Sequence, residues 1–214
     1  MDERFQVLAT MDMPKLDRRK GHWYPATPPL CRPTGGLGPA DYFGRTLVAN
    51  LPEHIRVGVI NVAVPGCKIE LFEKDTFQAY ARTAPEWMTN FIHGYGGNPY
   101  QYLVDLAKLA QEDGVIKGVL LHQGESNPND HQWPQKVKGI YENLIADLDL
   151  DPREVPLLAG ETVHADQQGV CAGMNQIIAK LPKTLSTAHV ISSAGCPHKG
   201  LSCSWIISDI RLHR

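Results

Sequence analysis

No apolar run in this chain approaches the ~18 residues that a helix needs to cross a bilayer, so a membrane partner is not expected. No stretch is strongly basic and the formal net charge is -2, so no nucleic-acid partner is expected either. The five cysteines, Cys31, Cys67, Cys171, Cys196 and Cys203, form no CxxC pair, which removes zinc-ribbon spacing. Their odd number argues against a closed disulfide framework, although it leaves room for one bridge. A phosphate-binding GxxxxGK[ST] loop is missing, as is a GxGxxG turn after a strand, so a nucleotide-binding reading is weak. No metal site or cofactor is expected. The first residues, MDERFQVLAT, are charged and contain no apolar signal-peptide core. Residues 1–36 contain no serine.

What is there fits a soluble globular domain. Hydrophobic residues make up 43% and charged residues 21% of 214 positions. A chain of this length buries about 70% of its unfolded surface and needs no covalent staple.

Residues 1–36 read as loop, with Pro14, Pro25, Pro28, Pro29 and Pro33 among glycines. So long an irregular entry points to a functional loop or the remains of something cut. A helix is expected from Pro39 to Leu51, with proline in its first turn and Tyr42, Phe43, Leu47 and Val48 at helical spacing. Arg56–Val64 is a β-branched apolar run ending at Pro65-Gly66, which reads as a buried parallel strand feeding a tight loop. Residues 73–92 are ambiguous, with Trp87, Met88, Phe91 and Ile92 suggesting part of a helix.

Further on, Pro99–Glu112 and Trp133–Leu148 are amphipathic helices. Ile116–Leu121, Val155–Ala159 and Ala188–Ser192 are strands, and Gly173–Leu181 is a short helix. Strands alternating with helices predict a parallel sheet covered on both faces.

In such a sheet, chemistry collects at the carboxyl ends of the strands. Two loops stand there. The first, Val64-Pro65-Gly66-Cys67-Lys68-Ile69-Glu70, holds a glycine that permits a sharp turn and leaves its N–H free to donate; it also reads as a plain turn. The second, His122-Gln123-Gly124-Glu125-Ser126-Asn127, is six consecutive residues that are polar or glycine. Gln123 has an amide to aim at an oxyanion and Glu125 a carboxylate to orient it. Equally, Ser126 and Asn127 suit a helix cap.

These two blocks, VINVAVPGCKIE and GVLLHQGESN, resemble those of carbohydrate esterase family 6 and the sialate O-acetylesterase-like group of SGNH hydrolases. GLGPADYFGRTLVANLP, VPLLAGETVHADQQGV and HVISSAGCP extend the resemblance over about Asp2 to Gly200. It implies an α/β, flavodoxin-like three-layer sandwich with a parallel sheet. It also implies an acetylesterase acting on acetylated carbohydrate, of acetylxylan or sialate type, through a Ser-His-Asp mechanism. By position, Gly66 supplies a backbone donor to the oxyanion hole, Gln123 a side-chain donor, and Glu125 their support. His122 and Asn127 fall beside the substrate. Members of the group are often exported, so a secreted or periplasmic location is suggested by resemblance alone.

The resemblance also marks two departures. The family nucleophile lies in a Gly-x-Ser-Asn block after the first strand, and no such block precedes residue 51. At the other end, residues 201–214 read as a divergent or frame-shifted tail, in which Asp209 and His213 stand four apart where the family has Asp-x-x-His. The sheet is therefore expected to lack its first strand and last helix. That would leave two unpaired strand edges and a chain that is unstable or inactive alone, or else a carbohydrate-binding pseudoenzyme. Ser126, Ser192 and Ser193 are weak replacements for the nucleophile, with no Gly-x-Ser-x-Gly turn around them. Cys67 suits a small buried hydrophobe better than a nucleophile. Trp23, Tyr24, Tyr95 and Trp133 are aromatics that either stack on sugars or anchor the core.

Overall fold

A computed structural model describes residues 2–196 and, as backbone, residues 204–212. Its elements run β1 (Phe5–Leu8), β2 (Trp23–Pro25), α1 (Pro39–Asn50), β3 (Arg56–Val62), α2 (Phe77–Ala81), α3 (Glu86–Gly94) and α4 (Pro99–Gln111). They continue with β4 (Gly114–His122), α5 (Trp133–Asp147), β5 (Leu157–Gly160), α6 (Asn175–Ile178), α7 (Leu181–Thr184), β6 (Ala188–Ile191) and β7 (Ser204–Leu212).

One sheet carries all seven strands, in the order β2-β1-β3-β7-β4-β5-β6. β1 pairs parallel with β3, and β4, β5 and β6 pair parallel in turn. Their hydrophobic alternation sorts the chain into two cores. Phe5, Val7, Val57 and Val59 meet Ala40 and Val48 of α1 on one face. Leu8, Ile60, Val62, Val119 and Leu121 meet α4 and α5 on the other. This is the helix–sheet–helix sandwich of an α/β flavodoxin-like fold.

Four expectations change. The entry is not all loop, because Phe5–Leu8 forms a strand whose four residues are all buried. A four-residue strand carries too little periodicity to be seen before its partner β3 is known.

The buried face of α1 also differs. Ala40, Asp41, Gly44 and Val48 turn inward, while Tyr42 is 64% exposed. The reason is Phe5, whose ring fills the space where a Cβ on Gly44 would lie, at 2.0 Å. Small residues on the helix let the aromatic ring pack between helix and sheet. Asp41 is buried on that face and is held by Arg45 Nε and Nη2 at 2.8 and 2.9 Å.

The third change concerns the expected open edges, which are closed. β7 lies between β3 and β4, antiparallel to both, pairing for example Ile207 with Ile60 and with Val119. In a flavodoxin-like order of 2-1-3-4-5, this is the position of strand 1. Two facing strands with free N–H and C=O groups form a slot that any extended segment can fill in either direction.

Helix ends obey local rules. Asn98 caps α4 by accepting the Gln101 N–H at 3.1 Å, with Pro99 next in line. Prolines open α1 and α5 in the same way. The single short helix expected over 173–181 is instead a 3-10 turn followed by α6 and the start of α7.

Candidate active site

The carboxyl ends of β3, β4, β5 and β6 point the same way, and their loops gather at one rim. Between the first two, β7 starts with Ser204 opposite His122.

Gly66 follows β3 with φ of +63°, a conformation that favours glycine. It is exposed, and its N–H has no hydrogen-bond partner among the described residues. A Cβ here would stand 3.3 Å from Cη2 of Trp87, which is 51% exposed on α3. Trp87 packs edge-on against Phe91, one helical turn later, with centroids 6.5 Å apart. The guanidinium of Arg32 lies over the Phe91 ring, 4.9 Å from its centroid, and donates from Nη1 to the Ala63 carbonyl at 3.0 Å.

The loop after β4 is tied to the Gly66 loop by buried amides. Gln123 is 1% exposed. Its Nε2 donates to the Cys67 carbonyl at 3.3 Å and to Asn127 Oδ1 at 2.7 Å, while its Oε1 accepts from Trp133 Nε1. Asn127 Oδ1 also accepts the Ile69 N–H at 2.9 Å. Asn127 Nδ2 donates to Glu70 Oε2 and Asp130 Oδ2 at 3.0 and 3.2 Å, and Lys136 bridges the same two carboxylates at 2.6 and 2.7 Å. Burial pushes the Glu70 and Asp130 carboxyls up, but the bonds from Lys136 and Asn127 outweigh it and hold both below their ordinary range. Burial likewise pulls Lys136 down, and the two carboxylates more than reverse that.

Sequence reasoning placed Gln123 as a donor into an oxyanion site and Asn127 beside substrate. In the structure all their amide groups are spent inside, bracing one loop against the other. Glu125, expected to support Gln123, instead meets His122, with Oε1 3.2 Å from Nε2. Its side chain is 10% exposed, and its Oε2 is buried with no partner. Ser126 does not cap α5; its Oγ donates to the Gly66 carbonyl at 2.8 Å.

A second cluster was not singled out from sequence. At the end of β5, Glu161 Oε2 receives His164 Nε2 at 2.6 Å, Ser192 Oγ at 2.9 Å and the Ser193 N–H at 3.1 Å. Burial raises this carboxyl, but His164, Ser193 and Ser192 prevail and lower it. The signal was present as Glu-Thr-Val-His after a strand, the same polar-after-apolar pattern that marked His122–Asn127. No serine among the described residues hydrogen-bonds to a histidine. Asp209 and His213, the divergent Asp-x-x-His counterpart, fall outside the described side chains.

Of the four aromatics weighed for stacking, Tyr95 and Trp133 are core residues at 1% and 0% exposure. Trp23 donates its indole N–H to Asp113, and the Tyr24 hydroxyl accepts the Arg19 N–H. Cys67 is fully buried. An apolar cleft of about 290 Å³ runs under His122 between α1 and β4–β6, lined by Phe43, Leu120, Leu158 and Ile191 among others. Among the described residues no group of three His, Cys, Asp or Glu side chains could hold a metal, and no helix is long and apolar enough to cross a membrane.

Residues 12–203 match the family model described as carbohydrate esterase, sialic acid-specific acetylesterase. The chain belongs to this family of carbohydrate esterases. The fold of the family member described above also resembles a solved X-ray structure of a protein from Arabidopsis thaliana. The TM-score is 0.64 at 20% identity, over 92% of this chain and 72% of that one. At that identity the likeness is one of fold. Family membership identifies an esterase-type hydrolase at the level of the family.

Proposed function

We propose that this rim is the substrate side of a carbohydrate O-acetylesterase site, of acetylxylan or sialate type, and that this chain by itself binds acetylated carbohydrate with little or no turnover. The observation that carries the reading is the Gly66 N–H. It is exposed, unpartnered and presented by a left-handed turn at the carboxyl end of a strand. Such a donor fits the negative oxygen that forms when an ester carbonyl is attacked.

In the complete Ser-His-Asp reaction, a serine oxygen bonds to the acetyl carbon and its proton passes to histidine. The sugar hydroxyl then leaves with that proton, and water repeats the sequence to release acetate. The Gly66 donor serves both tetrahedral stages. Gln123 and Asn127 hold the Gly66 loop at its angle through Cys67 and Ile69. Glu125 positions His122, which faces the substrate rather than taking the proton.

Among the described residues, what limits turnover is the hydroxyl. Ser126 is committed to the Gly66 carbonyl and Ser192 to the Glu161 carboxylate. Oxyanion and binding contributions without a nucleophile leave only ~10³–10⁴-fold over water, far short of a working enzyme. A carbohydrate-binding pseudoenzyme is the second reading, favoured by this same commitment of the serines.

The test is twofold. The chain is mixed with an aryl acetate and with acetylated xylan, and its affinity is measured for acetylated and deacetylated xylo-oligosaccharides. Acetate release near the buffer rate, with tighter binding of the acetylated sugar, supports the ester site. Equal affinity for both sugars supports the pseudoenzyme. Rapid release that vanishes in Ser192→Ala overturns the inactive-chain reading.

A further inference from the structure

We infer that Tyr80 on α2 is a positioning residue that holds the Gly66 turn and aims its N–H, a role that rests on the ester-site reading above. Proline at position 65 and a φ of +63° at Gly66 give Val64–Cys67 the form of a type II turn. The Gly66 N–H belongs to the central peptide of that turn, so its direction follows the turn as a whole. The turn does little to close itself. Its own bond, from the Cys67 N–H to the Val64 carbonyl, is 3.4 Å long. That is beyond the roughly 2.7–3.2 Å of an ordinary N–H to O bond.

Side chains from outside the turn hold it instead. Ser126 Oγ donates to the Gly66 carbonyl at 2.8 Å and Gln123 Nε2 to the Cys67 carbonyl at 3.3 Å, while Asn127 Oδ1 accepts the Ile69 N–H at 2.9 Å. Residue 68 is held by Tyr80, whose hydroxyl accepts the Lys68 N–H at 3.1 Å. That hydroxyl has one proton to give. It goes to Met88 Sδ on α3 at 3.4 Å, which leaves the oxygen lone pairs for Lys68. The Tyr80 ring is half-buried against the main core, so the position of its oxygen is set by packing.

Ser126, Gln123 and Asn127 all belong to the loop after β4 and move with it. Tyr80 ties the same turn to a different part of the fold. α3 meets the turn too, since a Cβ on Gly66 would stand 3.3 Å from Cη2 of Trp87. Without the Tyr80 hydroxyl, the Lys68 N–H would turn to water and these side-chain hydrogen bonds would reach the turn from one loop only.

Tyr80 lies in the stretch 73–92 that is ambiguous in sequence. Nothing along the chain pairs it with residue 68, because the pairing exists only once α2 is packed beside the loop after β3.

Tyr80→Phe removes the oxygen and keeps the ring. The full chain and this variant are compared by amide exchange at Lys68, by the Gly66 N–H resonance, and by affinity for acetylated and deacetylated xylo-oligosaccharides. In the variant, the Lys68 amide should exchange about tenfold faster and the Gly66 resonance should shift. Binding of the acetylated sugar should weaken about three- to tenfold, as for one lost hydrogen bond. Binding of the deacetylated sugar should not change, an outcome that a merely structural role would not give. Ser126→Ala should produce the same split and Ser126→Thr should restore the parent's affinities. A Tyr80→Phe chain that keeps the parent's preference for the acetylated sugar overturns the positioning role and leaves the ester-site reading standing. Equal weakening of both sugars overturns it as well. So does a Lys68 amide that is unprotected in the unaltered chain, a result that needs no variant to fold. Equal affinity of the unaltered chain for both sugars overturns the ester-site reading, and the positioning role with it.

Discussion

The Oδ1 of Asn127 accepts the backbone N–H of Ile69 at 2.9 Å, joining the loop after β4 to the loop after β3. The two residues are far apart in sequence, and bonds from Gln123 Nε2 to the Cys67 carbonyl and from Ser126 Oγ to the Gly66 carbonyl tie the same two loops beside it. Gln123 donates to the same acceptor, so the Asn127 side chain couples the two loops.

Asn127→Ala should therefore destabilise the fold by about 3 kcal/mol, since it strands two buried donors, and should lower Tm by roughly 6–12 °C. Asn127→Asp keeps the acceptor but turns an oxygen toward Glu70 and Asp130 in place of a donor. It should be destabilised at neutral pH and recover part of the loss in acid. Thermal unfolding of both variants at two pH values checks this, and an Ala variant as stable as the parent would refute the bracing role.

Gly66→Ala should cost about 1–2 kcal/mol from the left-handed backbone alone. Its methyl group would also press on Trp87, at 3.3 Å from Cη2. The expected readouts are a lower Tm, a changed tryptophan emission and weaker binding of acetylated oligosaccharide. Unchanged emission would show that Trp87 does not rest on this turn.

Glu70 and Asp130 both ionise more readily than ordinary carboxyls in spite of burial, because Lys136 and Asn127 hold their charged forms. Carboxyls depressed in the folded state stabilise it above their unfolded values and lose that contribution as pH falls through the folded ones. Stability should thus be level above about pH 5 and fall steadily below about pH 4. Lys136→Met removes the cation between two carboxylates, costs about 2 kcal/mol at neutral pH and flattens the acid limb. Urea unfolding across that range measures both effects; an acid limb as steep in the variant as in the parent would assign it to other groups.

Ile207→Pro should break the sheet at its centre. Residue 207 faces Ile60 on one side and Val119 on the other, and proline has no N–H to donate to either. A loss of about 3 kcal/mol or more is expected, with aggregation through the freed edges of β3 and β4. Size-exclusion chromatography and circular dichroism follow both, and a monomer with unchanged stability would show that β7 does not support the sheet.

Much of the fold was legible along the chain. Arg56–Val64 and Ile116–Leu121 announce themselves as apolar runs, and the strands found are Arg56–Val62 and Gly114–His122. Val137, Ile140, Tyr141 and Leu144 announce a helix, because burial of one face imposes a period that the sequence has to carry. The same locality makes Gly66 and His122–Asn127 visible, as glycine or polar residues directly after a buried apolar strand. The N-terminal strand at Phe5 and the inward turn of Gly44 were not legible. Each makes sense only against the other, and a contact between distant segments leaves no period in either.

The tertiary structure alone decided how the site residues are used. Gln123 and Asn127 are amides with the same donors and acceptors whether they face a substrate or a neighbouring loop. Only the positions of Cys67, Ile69 and Trp133 turn them into braces. It also decided that β7 fills the slot between β3 and β4, since any extended segment can satisfy a free strand edge. Composition and periodicity mark the long buried strands and the apolar helix faces. Hydrogen bonds between loops are set by geometry in space, and they determine which polar groups remain free for a ligand. Among the described residues the exposed Gly66 N–H is one such group.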